Sequence, residues 1–341
     1  MKHFLIIGQG IAGTVLGFKL IQQGADVLFI DAYDRSNATM ASAGIMNPIT
    51  GRSFVKTWKV DTLWDTALKT YRELESFLDI NCVYPLELYR WLPKVEHENN
   101  WCTRFLDSDY AKYVDDSEGL VIEKEGKRYA KINHAFRVDL LGIRQSFRQF
   151  LINEQKLIDE HFDYNEVRIL DDQVQYKDIK AQRIIFAEGY KVIDNPFFKD
   201  LPFRPSRGES IRFKSSDIDQ SFLSKHEYFL APLGNNDYWS GGGYDNNNLE
   251  VASPSFIDRI KSDIELRFQI KIEDYKFRSG VRPATKDRRP IIGEHFENGM
   301  MYIFNGMGTK GTSLAPYCAD RLIEYIYKNE EIPIDININR F

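Results

Sequence analysis

Cysteine is scarce in this chain: Cys82, Cys102 and Cys318 lie far apart in 341 residues. An odd count with no Cys-x-x-Cys pair argues against a disulfide framework and against a thiolate zinc site, so no metal is expected. Isolated thiols suit a reducing compartment. Long apolar runs are missing too. The stretch Phe4–Ile7 falls far short of the roughly 20 residues a membrane helix needs. It meets a Gly-rich turn where a signal peptide would continue its apolar region. A soluble, cytoplasmic protein without a membrane partner is expected. Positive charge is not in excess. The 45 Lys and Arg face 50 Asp and Glu, a net charge of -5, which offers nucleic acid no general attraction. Repeats, heptads and long linkers are absent, so a second domain would be assembled from insertions. What the chain does have is 43% hydrophobic and 13% aromatic residues. That is enough for a large core, and the length suggests about two domains.

The first thirty-odd residues carry the clearest signal. Phe4-Leu5-Ile6-Ile7 reads as a parallel strand buried on both faces. Gly8-Gln9-Gly10-Ile11-Ala12-Gly13 follows, a complete Gly-x-Gly-x-x-Gly. Thr14–Gln23 has helical apolar spacing and closes on Gly24, and Val27–Ile30 forms a second strand ending in Asp31. Gly8 permits the turn, Gly10 the approach of a pyrophosphate, and Gly13 tight helix packing. Free N–H groups at the helix start favour the phosphates. Asp31 is placed to accept hydrogen bonds from the adenosine ribose. This unit predicts a dinucleotide but does not choose between FAD and NAD.

Distant segments make that choice by resemblance. They are Met40-Ala41-Ser42-Ala43-Gly44-Ile45-Met46, Arg183–Gly189 ending in Ala187-Glu188-Gly189, and Pro205-Ser206-Arg207-Gly208-Glu209. Gly280-Val281-Arg282-Pro283 and the loop Asn305–Ser313 before a helix over Leu314–Tyr327 complete the set. In this order they resemble the D-amino-acid-oxidase superfamily of FAD-dependent oxidoreductases, which includes glycine oxidase and sarcosine oxidase. Glu209 stands where that family usually has Gln. The segment Gly308–Pro316 is most similar to the oxidase domain of the bifunctional bacterial enzyme that trims carboxymethylaminomethyl-2-thiouridine in tRNA.

The resemblance implies FAD as cofactor. Contacts would come from Gly8, Gly10, Ile11, Ala12 and Gly13, from Asp31 and Ala32, and from Ser42, Ala43, Gly44 and Ile45. Ala187, Gly189 and Arg282 would follow, with Gly306, Gly308, Thr309, Lys310, Gly311 and Thr312 at the flavin. It also implies oxidation of a C–N bond of an amine or amino acid by hydride transfer to flavin N5, with oxygen or another carrier reoxidising the flavin. A 2-hydroxy-acid dehydrogenase, or a flavoprotein of tRNA modification, is the alternative. Arg282 takes the family position that pairs with a substrate carboxylate, for which a planar guanidinium is suited. Tyr228 and Phe229 lie on a pocket-lining strand, and alternation lets only one face the ligand. Phe229 falls where glycine oxidase carries a tyrosine. His226 and Lys310 are candidates for proton transfer or oxygen activation. The polar stretch Asn47–Lys59, with Arg52, Lys56 and Lys59, could hold an acidic group or be a solvated loop.

The expected fold class is α/β, a Rossmann-type FAD-binding domain with a smaller antiparallel-sheet (α+β) substrate domain. The first domain would use residues 1–80, 136–205 and 275–341, and the second 81–135 and 206–274. Further expectations are strands Tyr84–Trp91, Glu209–Lys214 and Tyr228–Leu233. Helices are expected over Asp139–Lys156, capped by Asp139, and over Ser255–Phe268, opened by Ser253-Pro254.

Overall fold

The computed structural model describes every residue except 34–36, 116, 118, 125, 219, 220, 247, 248 and 250–253. The main elements are β1 (Lys2–Ile7), α1 (Ile11–Gln22), β2 (Val27–Ile30), α2 (Val60–Leu78), β3 (Val83–Trp91) and β4 (Lys127–Val138). α3 (Leu140–Asn153), β5 (Leu157–Ile158), β6 (Ile179–Phe186), β7 (Ser206–Lys214), β8 (Leu223–Lys225), β9 (Phe229–Gly234) and β10 (Asp237–Asp245) follow. The chain ends with α4 (Pro254–Phe268), β11 (Lys276–Arg282), β12 (Ile291–His295), β13 (Asn298–Asn305) and α5 (Gly311–Lys328).

Two sheets organise the molecule. The first runs β13, β6, β1, β2, β5, all parallel, with β12 antiparallel on the β13 edge. β1 shows why its apolar run is continuous. Phe4 and Ile6 enter one buried cluster, while Leu5 and Ile7 enter another on the opposite face. The second sheet runs β11, β7, β10, β9, β8, β3, β4. It is antiparallel apart from the parallel pair β8–β3, whose strands come from distant parts of the chain. The sheets meet at the loop after residue 40: Ser210 Oγ and Trp239 Nε1 both donate to the Ala41 carbonyl, at 2.9 and 3.0 Å.

Helix ends differ from the spacing-based expectation in a consistent way. α1 begins at Ile11 and α5 at Gly311, each three residues before its expected start. Apart from Ile11, the residues ahead of the expected starts are glycines and small residues, Ala12 and Gly13 in α1 and Gly311–Ser313 in α5, which apolar periodicity does not register. α3 is capped by Asp139, whose carboxylate accepts the Gly142 N–H at 3.1 Å. The expected cap Ser253 lies outside the described residues, and α4 begins at Pro254. Among the described residues no helix is long and apolar enough to cross a membrane.

α5 contains Pro316, which has no N–H to give the Thr312 carbonyl four residues earlier. That carbonyl instead accepts the Tyr71 hydroxyl of α2 at 2.7 Å, and Tyr71 is fully buried. Tyr71→Phe should therefore strand a buried carbonyl and lower stability by about 1–3 kcal/mol. Urea unfolding of the two proteins measures this; equal midpoints would show that the carbonyl has another donor.

Candidate functional site

A cleft of about 320 Å³ opens where the parallel strands end. Its walls include Gly8, Gly10, Ile11 and Ala12 after β1, Asp31 and Ala32 after β2, and Ala187–Gly189 after β6. From β1 the chain moves one way across the sheet, to β2 and then β5, and returns to the other side of β1 for β6 and β13. Crevices at such switch points are where open α/β sheets take ligands. The glycines are there for space. Gly8 has φ +100°, and a Cβ on it would meet the Ala187 oxygen at 2.6 Å. A Cβ on Gly13 would lie 2.0 Å from the Gly8 oxygen, so Gly13 sits behind the turn and not in the cleft. Gly189, with nothing within 4 Å of its would-be Cβ, keeps the opposite wall open.

Two helix N-termini meet at this cleft. No side chain caps α1, and the Ile11 N–H goes to Thr39 Oγ1 at 3.0 Å. No side chain caps α5 either, and Gly308, Thr309, Gly311 and Thr312 at its start line the cleft. Both ends therefore present partial positive charge to whatever the cleft holds.

Asp31 is held by groups that the sequence reading missed. Its Oδ1 accepts the Gln9 N–H at 2.8 Å, while Oδ2 accepts from Arg148 at 2.8 Å and Arg144 at 3.3 Å. The arginine side chains are only 1% and 8% exposed. They also lie over the Tyr33 ring. Burial pulls the Arg144 pKa down, and Asp31 opposes that pull. The signal was available: residues 144 and 148, one helical turn apart, place two cations on the apolar stripe of α3. Oδ1 keeps acceptor capacity for a hydroxyl from the cleft.

A second carboxyl borders the cleft. Glu188 accepts the Tyr164 hydroxyl at 2.6 Å and Asn195 Nδ2 at 2.8 Å. Burial raises its pKa from 4.5 to about 7, with Tyr164, Asn195 and Lys191 countering only in part. Residues 160–162 and 190–191, also in the wall, carried no motif.

The other anticipated residues divide sharply. Ser42 and Arg282 line the cleft. The Arg282 guanidinium donates to the carbonyls of Gly243 (2.9 Å) and Arg207 (3.3 Å) and lies 4.9 Å from the Tyr244 ring centre. Ala43, Gly44, Ile45 and Gly306 support the wall from behind. A Cβ on Gly44 would meet the Val138 oxygen at 1.9 Å, and one on Gly306 the Ile291 nitrogen at 2.9 Å. Ala43 belongs to the core, and Ile45 pairs with Arg137 of β4. Lys310 turns from the cleft to donate to Thr57 Oγ1 at 3.1 Å, and burial, aided by Arg289, lowers its pKa to about 8. Tyr228 is buried against Phe256 and α4, on the face of the second sheet opposite Phe229. Phe229 packs on the core that reaches the cleft. His226 stacks on Trp91, and burial drives its pKa to about 2, so it stays neutral. Glu209 ion-pairs with buried Arg207 at 3.1 Å, a role open to Glu and closed to the usual Gln.

The model of the FAD dependent oxidoreductase family matches residues 152–325, just over half of the chain. The chain belongs to this family. Glycine oxidase of Bacillus subtilis (strain 168) is 26% identical over 168 residues, 46% of this chain and 44% of that protein. The tRNA 5-methylaminomethyl-2-thiouridine biosynthesis bifunctional protein of Psychrobacter sp. (strain PRwf-1) is 25% identical over 128 residues, 36% of this chain and 16% of that protein. The matches thus span less than half the length of these relatives. The fold extends further. Iminodiacetate oxidase from Chelativorans sp. BNC1 superposes with TM-score 0.77 at 19% identity, covering 98% of each chain. Glycine oxidase from Geobacillus kaustophilus does so with TM-score 0.79 at 16% identity, covering 97% of this chain and 95% of that one.

FAD is the cofactor of this oxidoreductase, and the cleft suits it. Were FAD bound here, the helix-start N–H groups would suit its diphosphate and the anchored Asp31 carboxylate its ribose, with open space at Gly189. Two outcomes are expected. Asp31→Ala leaves buried Arg144 without a carboxylate, while Arg148 keeps Asp159 at 2.9 Å, so it should lower apoprotein stability by about 3–5 kcal/mol as well as flavin content. Thermal unfolding of flavin-free protein checks this, and an unchanged midpoint would mean that the arginines find other partners. For Glu188, the raised value means that the folded protein binds more protons than the unfolded chain between pH 4.5 and about 7. That stabilisation is complete below 4.5 and lost as pH rises through 7. Glu188→Gln should remove the decline, so urea midpoints at pH 5 and 8 should converge in the variant and differ in the parent.

Proposed function

We propose that the protein oxidises a C–N bond of an amine or amino acid, FAD supplying the hydride acceptor at N5. The observation that carries this reading is Arg282. Arg282 lines the cofactor cleft; its guanidinium is held in place by two backbone carbonyls and has no carboxylate partner among the described residues. An anchored, uncompensated fork is suited to a substrate carboxylate. Names among the relatives and structural neighbours support the same class: glycine oxidase, iminodiacetate oxidase and L-amino acid deaminase.

The chain's part is positioning. Arg282 orients the carboxylate, Phe229 presents an apolar wall in place of a polar contact, and the α5 N-terminus favours negative charge at the flavin end of the cleft. Tyr228, on the far face, takes no part. Lys310 can hold or release a proton at Nζ near pH 8. Arg282 would hold the carboxylate of a 2-hydroxy acid equally well, so the choice of a C–N bond rests on the names of the relatives; the tRNA reading gains no specific support from these contacts.

Anaerobic mixing of the yellow holoprotein with a panel of amines and amino acids tests the proposal: one member should bleach the flavin and release an amine or ammonia. Colourless protein that refuses FAD, or bleaching by hydroxy acids alone, would overturn it. Arg282→Ala should weaken carboxylate substrates by about 2–4 kcal/mol while leaving flavin bound. Loss of flavin in equal measure would make the residue structural.

A further inference from the structure

Most cations of the second sheet and its neighbours are answered by acids. Lys56 lies near Asp61 (3.8 Å) and Asp109 (3.9 Å), Lys59 pairs with Asp335 (3.4 Å), and Lys131 with Glu87 (2.9 Å) and Asp115 (3.1 Å). Arg90, like Arg282, is not. It is half-buried on β3, and its guanidinium makes no ion pair and no hydrogen bond among the described residues. Its guanidinium lies over the Phe54 ring, 4.3 Å from the centroid, and burial pulls its pKa down to about 10.

Beside it stands a second cation. Lys225 of β8 is the register partner of Arg90, and Phe229 of β9 is the register partner of Lys225. Paired positions share a sheet face. Leu88 and Leu223, two residues before Arg90 and Lys225, lie in the large core that also takes in Phe54 and Met307 of the cleft wall. Phe229 packs against the same core. Lys225 Nζ donates to the Glu227 carbonyl and lies 5.0 Å from the Phe229 ring centre. Burial and then Arg90 lower its pKa to about 8; Asp263 and Glu227 oppose this, but neither acts on Arg90. Two desolvated cations side by side, one with no counter-charge, are costly unless an anion joins them.

We propose that Arg90 and Lys225 form an anion-holding subsite that selects amine substrates bearing a second negative group, a carboxylate or a phosphonate, beyond the carboxylate assigned to Arg282. This rests on the proposed reaction for its substrate, whereas anion binding at the pair does not. The guanidinium fork takes a planar or tetrahedral oxyanion in two contacts, and the ammonium adds a third donor.

Holoprotein and its Arg90→Gln and Arg90→Lys variants would be compared in two measurements. In thermal unfolding with inorganic phosphate or glutarate at constant ionic strength, the parent and Arg90→Lys should gain several degrees, and Arg90→Gln should not. In anaerobic flavin reduction, Arg90→Gln should raise KM at least tenfold for aspartate, glutamate or an aminophosphonate. It should leave alanine and 2-aminobutyrate unchanged, with kcat conserved. The carboxylate and phosphonate arms show which group is preferred. Equal anion response in parent and Arg90→Gln, or an equal KM rise for singly and doubly charged substrates, would overturn the subsite. If Arg90→Gln fails to fold, Lys225→Gln takes its place in both measurements with the same expectations. Arg90-dependent stabilisation by anions without oxidation of any amine would defeat the reaction and support the subsite. Oxidation indifferent to substrate charge in parent and variant alike would do the reverse.

Discussion

Everything at the cleft depends on how closely two helix starts approach each other. A Cβ on Gly311, at the head of α5, would lie 3.2 Å from the Ile11 side chain at the head of α1. Behind them, Gly13 presses on the Gly8 oxygen and Gly8 on Ala187. These contacts leave no room for side chains, so the chain meets with bare backbone. The result is two uncapped N-termini facing one space. Together the two helix ends turn N–H donors and partial positive charge toward one space, which suits an anionic ligand.

Buried charge is handled differently on the two sides of that space. On the first sheet it is matched: Arg144 and Arg148 close on Asp31, and the carboxylate is fixed before any ligand arrives. On the second sheet Arg207 and Lys131 are matched too, but among the described residues Arg282 and Arg90 have no carboxylate partner. A matched group serves as a rigid contact for an invariant cofactor. An unmatched one favours a ligand that brings the missing charge.

The fold was legible where local rules and global packing coincide. Phe4–Ile7, Gly8–Gly13 and Val27–Asp31 make a complete βαβ start, and each residue's task there follows from its neighbours in sequence. The family motifs carried the same reading to Gly44, Gly189, Arg282 and the loop before α5. Less legible were the residues whose role depends on another segment. Tyr71 matters because Pro316 lacks an N–H, and Arg144 and Arg148 because Asp31 lies at the end of β2. The side of β9 that meets the core shared with the cleft was undecided until the register placed Phe229 there and Tyr228 beneath α4.

What the sequence determined by itself is the βαβ start of the protein. Backbone conformation there is set by glycines and by apolar runs, properties that individual residues carry wherever they are placed. Only the tertiary structure decided the charge balance: which acids answer which cations, and which cations are left over. Ion pairs join residues far apart in sequence, Asp31 with Arg148 and Arg207 with Asp245 among them. No local pattern encodes such distances, and so the cations without partners emerge only once the sheets are assembled.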